Sequence, residues 1–142
     1  MLVRKSLSEA EGKLRDDDKL SQFEGGRDDL FAERLAKIRT HFAGNLPGKI
    51  NSLDHALPQI SGEGEAVVET LATVYRSAHE ICGTGPTVGF VATGQAARSV
   101  EQILIQPLRA KRGLNDAKVA AVQERIVTLR AAARKEMQTA NV

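Results

Sequence analysis

An all-α protein, an antiparallel four-helix bundle behind a polar N-terminal extension, is expected from three features of this sequence. Aromatic residues make up only 4% of the chain, with no Trp and one Tyr, while Ala, Leu and Val are frequent. That bias favours helices over strands. Four long segments carry apolar residues at alternating spacings of three and four, and no segment alternates with the period of a strand. At 142 residues, 42% hydrophobic and 27% charged, the chain fits one ordinary globular domain.

Residues 1–26 are polar, contain Arg15-Asp16-Asp17-Asp18-Lys19, and end in Gly25-Gly26. They read as an extension, partly helical, joined by a flexible glycine pair and dispensable for the core. The bundle is expected over residues 27–139. Its first segment places Phe31, Leu35, Ile38 and Phe42 on one helical face, continued by Leu46, Ile50, Leu53 and Leu57. Gly44, Pro47 and Gly48 predict a kink or short break within it, and Pro58 and Gly62 end it. A second helix begins near Gly64 and carries Val67, Leu71, Val74, Ala78 and Ile81 as a narrow core stripe. Gly83, Gly85, Pro86 and Gly89 punctuate the next connection. A third helix runs from about Gly89, with Ala96, Ala97, Val100, Ile103 and Leu104 inward, and Pro107 and Gly113 close it. The last helix takes Asn115 as its N-cap and buries Val119, Val122, Ile126, Leu129 and Ala133.

Composition also narrows function. The net charge is only +2. The late basic residues, Arg109 to Lys135, are interleaved with Asp116 and Glu124, which reads as a solvated helix face and not a nucleic-acid surface. No apolar run reaches the ~20 residues of a membrane span. The N-terminus lacks the apolar core of a secretory signal, and the single cysteine, Cys82, excludes an internal disulfide. A cytoplasmic protein, monomeric and independent of nucleic acid or membrane, is expected. Paired carboxylates, metal-ligand spacing and a phosphate-binding loop do not stand out, so an enzyme with its own cofactor is not expected. A metal site built from His41, Asp54, His55 and His79 has no supporting spacing.

The most informative stretch is His79-Glu80-Ile81-Cys82-Gly83-Thr84-Gly85-Pro86-Thr87-Val88-Gly89-Phe90. At about 100° per residue, His79 lies roughly 120° from the centre of the second helix's apolar stripe, on its flank. Gly83, one turn on, clears the space beside it. A neutral, solvent-facing imidazole carries a lone pair and can act as a nucleophile. Phe90 and Val88 either cap the bundle core or rim a docking surface, and Phe90 is read as core.

This stretch resembles the motif of histidine-containing phosphotransfer (HPt) domains of bacterial two-component phosphorelays, roughly H-x-L-K-G-S-x-x-x-x-G-[FA]. His79, Gly83, Thr84, Gly89 and Phe90 match it, and Gln95-Ala96-Ala97-Arg98-Ser99-Val100-Glu101 is similar to the family's following helix, which often carries small residues and a glutamate. The resemblance covers about residues 27–139. It implies that His79 accepts a phosphoryl group from a phospho-aspartate on a receiver domain and passes it to another receiver. The protein would then be a phosphotransfer intermediate, with phosphohistidine as its charged form, and not an enzyme. Response-regulator receivers or a hybrid histidine kinase would be the partners, and the receiver would supply Mg²⁺. Cys82 departs from the pattern, since the family often has Lys there. Arg76, one turn before His79, is expected to supply the missing charge to the phosphoryl oxygens, with Arg98 on the following helix the weaker candidate. Ala72, Tyr75, Cys82, Gly83 and Val88 are expected to face the partner. The alternative reading is a helical adaptor that docks a receiver or kinase without accepting phosphate.

Overall fold

The computed structural model describes residues 17–140, with side-chain environments over residues 27–139. It is an all-α four-helix bundle. The helices are α1 (Asp17–Ala56), α2 (Glu65–Thr84), α3 (Val91–Ala110) and α4 (Asp116–Ala140), with short 3-10 turns at Leu57–Gln59 and Pro86–Val88. No described helix is long and apolar enough to cross a membrane.

The chain divides into two units, residues 1–37 and 38–142. In the first, the described side chains are largely exposed, including Leu30 at 53% and Phe31 at 67%. In the second, Ile38 is also exposed, and the buried stripe of α1 begins at Phe42 and continues through Leu46, Ile50 and Leu53. The expected inward roles of Phe31 and Ile38 are therefore corrected, and Leu35 is half-buried. Periodicity alone cannot tell a face that has a partner from one that does not.

Neither expected interruption breaks the helix. Helix α1 runs through Gly25-Gly26 and, unbroken, through Gly44, Pro47 and Gly48. A glycine costs a helix only about 1 kcal/mol, too little to end it unaided. At Pro47 the cost is larger, about 3 kcal/mol. Here Leu46 and Ile50, both at most 2% exposed, bury the turns on either side of it against one core. Each fully buried aliphatic side chain contributes about 1.5–3 kcal/mol, enough to hold the helical phase across the proline. Residues 1–16 of the expected extension lie outside the described residues.

Helices α2, α3 and α4 bury most of their expected stripes: Leu71, Val74, Ala78 and Ile81; Ala96, Ala97, Val100 and Leu104; Val122, Ile126, Leu129 and Ala133; Val67, Ile103 and Val119 are only half-buried. Polar links join the elements at their rims. Lys49 of α1 pairs with Glu80 of α2 at 3.0 Å, and Arg130 of α4 reaches Asn51 and Asp54 of α1 at 2.7 and 3.3 Å. Helix α3 starts two residues later than expected, because Gly89 sits in the left-handed region at φ 93° and closes the preceding turn. Glycine alone adopts that conformation without a steric cost. The helix also passes through Pro107 and ends at Ala110, followed by Lys111 in the left-handed region. Asn115 caps α4 as expected, its side-chain oxygen accepting from the Lys118 amide at 2.8 Å.

Phe90 is fully buried, its ring tilted against Phe42 with centroids 5.2 Å apart. The Phe90 amide donates to the Gly85 carbonyl at 2.7 Å, which folds the 85–90 segment tightly between α2 and α3. Helix α3 then comes close at Gly94, where a side-chain carbon would stand 2.7 Å from the Pro86 ring. The C-terminal end of α2 and the first half of α3 are thereby fixed against each other.

Candidate functional site

His79 stands on the exposed flank of α2, next to the fully buried Ala78. Its side chain is 65% exposed. The ring is nevertheless held on two sides. Its Nδ1–H donates to both carboxylate oxygens of Glu101 on α3, at 3.1 Å to Oε2 and 3.2 Å to Oε1. Tyr75, one turn before it on α2, lies nearly parallel to the imidazole, with centroids 5.8 Å apart and 11° between the planes.

The Glu101 contact decides the chemistry of the ring. An ionised carboxylate only accepts hydrogen bonds, so the proton of this contact sits on Nδ1. In a neutral imidazole the lone pair then belongs to Nε2. No described residue hydrogen-bonds Nε2, so a fixed, outward-facing nucleophilic nitrogen results. A buried carboxylate behind it favours positive charge developing on the ring. Glu101 itself is 9% exposed, within the apolar stripe formed by Ala97, Val100 and Leu104. An acid in the middle of that stripe is the sequence signal for its role, and its pairing with a histidine 22 residues earlier becomes visible only once α2 and α3 are packed.

The remaining residues expected around His79 divide into three groups. Gly83 is exposed, and a side-chain carbon built on it would meet nothing within 4 Å. Packing within the chain therefore does not require glycine at this helical position, and the surface beside His79 is open. Ala72, Tyr75 and Cys82 are half-buried on the same flank. Val88 is the exception: its side chain is 1% exposed, in the core. The 86–88 turn folds inward and its Val88 carbonyl accepts from Arg39 Nε at 2.9 Å, so the expected partner-facing role of Val88 is corrected.

Of the two arginines, Arg76 donates to the Thr73 hydroxyl at 3.2 Å and shares with Tyr75, His79 and Glu80 a shallow cleft of about 440 Å³. Arg98 is exposed on α3, between Gly94, which abuts the Cys82 carbonyl, and Glu101, which bonds His79. The register of the two helices thus brings Arg98 beside Cys82. The Cys82 thiol is held above its ordinary pKa, first by burial and then by the charge of Glu101, with Arg98 acting in the opposite sense. Cys82 therefore stays a neutral thiol.

The other histidines serve elsewhere. His41 Nε2 lies 3.0 Å from the Asn45 amide nitrogen, and His55 is exposed at the end of α1. Among the described residues no three His, Cys, Asp or Glu side chains are grouped to hold a metal ion. Compared with known proteins, the chain matches no family model, no curated protein and no solved structure.

Proposed function

We propose that this protein is a phosphorelay intermediate in which His79 carries the phosphoryl group between receiver domains. The observation that supports this reading is the His79–Glu101 contact, which leaves Nε2 facing solvent beside the open surface at Gly83. The Nε2 lone pair attacks the phosphorus of a receiver's phospho-aspartate. An N–P bond forms, the P–O bond to the aspartate breaks, and the aspartate leaves as a carboxylate. The Nδ1 proton stays in place, and Glu101 balances the positive charge that the ring acquires. Transfer onward to a second receiver is the reverse of the same step. Such a reaction depends on in-line positioning and charge stabilisation more than on acid–base groups, so a single well-held histidine suffices on this side. The receiver supplies Mg²⁺.

Cys82 offers no charge to the phosphoryl oxygens. Arg76, which shares the His79 cleft, and Arg98, on the helix that carries Glu101, are the two arginines that could supply it. On this reading the protein works as a monomer in the bacterial cytoplasm, with receivers or a hybrid histidine kinase as its partners.

Incubation with a phosphorylated receiver should label the protein with an acid-labile, base-stable phosphate, and His79→Gln should abolish that label. Label that survives in the variant overturns the assignment. The neutral thiol at Cys82 favours a second reading, an adaptor that docks the receiver without taking phosphate; receiver binding with no label would select it. Gly83→Arg should block transfer while leaving thermal stability nearly unchanged, because the added side chain meets no part of this chain. An unchanged transfer rate in that variant would mean that the partner approaches from another side.

A further inference from the structure

Tyr75 lies on the same flank as His79 and reads from sequence as a docking residue. Its geometry assigns it a different task. The Tyr75 ring stacks on the imidazole at a centroid separation of 5.8 Å and an angle of 11°. Those values fall within the range of favourable offset aromatic stacks. The residue is half-buried, and no described residue hydrogen-bonds its hydroxyl. What it presents is therefore a flat apolar face against the histidine.

A histidine whose side chain is 65% exposed would ordinarily exchange among rotamers on a fast timescale. A hydrogen bond at one edge fixes the position of Nδ1 but leaves the plane free to rock about that contact. A parallel ring against one face removes that freedom. Glu101 acts in the plane of the imidazole and Tyr75 acts across it, so the two constraints are independent and come from different helices. The π face of Tyr75 also favours a cationic ring over a neutral one, and the imidazole becomes cationic when Nε2 is phosphorylated with the proton retained on Nδ1.

We infer that Tyr75 is a positioning residue, which clamps the plane of His79 so that the Nε2 lone pair keeps a single outward direction. This rests on the phosphotransfer reading for its consequence, but the clamp itself is a property of the free protein. It follows that Tyr75 acts on the rate of the transfer step and not on the affinity for the receiver, and that its hydroxyl is dispensable.

The test compares the wild-type protein with Tyr75→Phe and Tyr75→Leu by two measurements. Imidazole nitrogen NMR on the free proteins reads the tautomer and the mobility of His79. Phosphoryl transfer from a phosphorylated receiver, followed over a range of receiver concentrations, separates the maximal rate from the concentration dependence. Tyr75→Phe should match the wild type in both. Tyr75→Leu should raise the mobility of the imidazole and lower the maximal rate about 3- to 10-fold, the effect of losing one aromatic stack, with the half-saturating receiver concentration unchanged. An imidazole equally ordered in Tyr75→Leu overturns the clamp. A shift in the half-saturating concentration at an unchanged maximal rate overturns it in favour of docking. If wild-type His79 takes no phosphate, the phosphotransfer reading falls, while the NMR measurement still decides whether Tyr75 orders the ring.

Discussion

If His79 carries phosphate as proposed, replacing Glu101 with leucine is expected to slow phosphoryl transfer by about 10- to 100-fold, the range found when the partner that orients a metal-bound histidine is removed. Without the carboxylate, nothing on α3 holds the proton on Nδ1. The imidazole proton can then move to Nε2, which turns the outward nitrogen from a lone-pair donor into an N–H group. The positive charge formed on the phosphorylated ring also loses its counter-ion. Glu101→Gln should be milder, since an amide oxygen still accepts from Nδ1–H although the charge is gone. Stability should respond differently from activity. Glu101 is 9% exposed within an apolar stripe, and the partner it would leave behind, His79, is 65% exposed and can be solvated, so an apolar side chain of similar volume leaves no buried charge unpaired. The leucine variant should therefore melt at or above the wild-type temperature while transferring slowly. A thermal melt and a transfer assay at saturating receiver check the two halves. A wild-type transfer rate in Glu101→Leu would reduce Glu101 to a structural residue.

Much of this arrangement is legible in the sequence, and the exceptions share a cause. The stripes of α2 and α4 were readable because each alternates apolar and polar residues around a buried face, as in Leu71, Val74, Ala78 and Ile81. The same geometry correctly put His79 on the flank. Phe31 and Ile38 have the same spacing but remain exposed, because a periodic face states only that a helix could be buried. At Pro47 the local cost is real, but packing on both sides outweighs it and the helix does not break. At the site, helix-wheel reasoning found the neighbours on α2 and was blind to those on α3. Glu101 could be noticed as an acid among Ala97, Val100 and Leu104, yet its contact with His79 depends on the close approach of α3 at Gly94. Val88, in the glycine-rich connection, is compatible in sequence with either a core cap or a docking rim. The Phe90–Gly85 hydrogen bond and Arg39 pull that turn against the core.

Glu136 should dominate the acid sensitivity of the bundle. Near the end of α4 it caps the start of α3: Oε2 accepts from the Ala92 amide at 3.0 Å, and Oε1 accepts from the Thr93 amide at 2.8 Å and the Thr93 hydroxyl at 2.6 Å. These satisfy amides that a helix start leaves without partners, and the negative charge suits the positive end of the helix dipole. Burial pushes the Glu136 pKa up, but the Thr93 hydroxyl and the Thr93, Ala92 and Val91 amides outweigh it, and the carboxyl is held below its usual range. A folded-state pKa below the unfolded one means that the group stabilises the fold above the unfolded value, about 4.3 for glutamate, and that this contribution is lost as pH falls through the folded value. Glu136→Ala should thus cost about 2–3 kcal/mol near neutral pH, given charge-assisted bonds to an otherwise unpaired helix start. Glu136→Gln should cost less, because it retains one accepting oxygen but turns an N–H₂ toward an amide that also donates. Urea melts of the wild type and Glu136→Ala at about pH 7 and about pH 3 separate the contribution. The gap between the two proteins should be wide at the first and narrowed at the second. An equal gap at both would show that the carboxylate charge contributes nothing to this cap. The tether also bears on the site, because the segment it secures opens the helix that carries Arg98 and Glu101. On the proposed phosphotransfer reading, loosening it should reduce transfer only as far as it unfolds the bundle, whereas removing Glu101 should slow transfer in a bundle that stays folded.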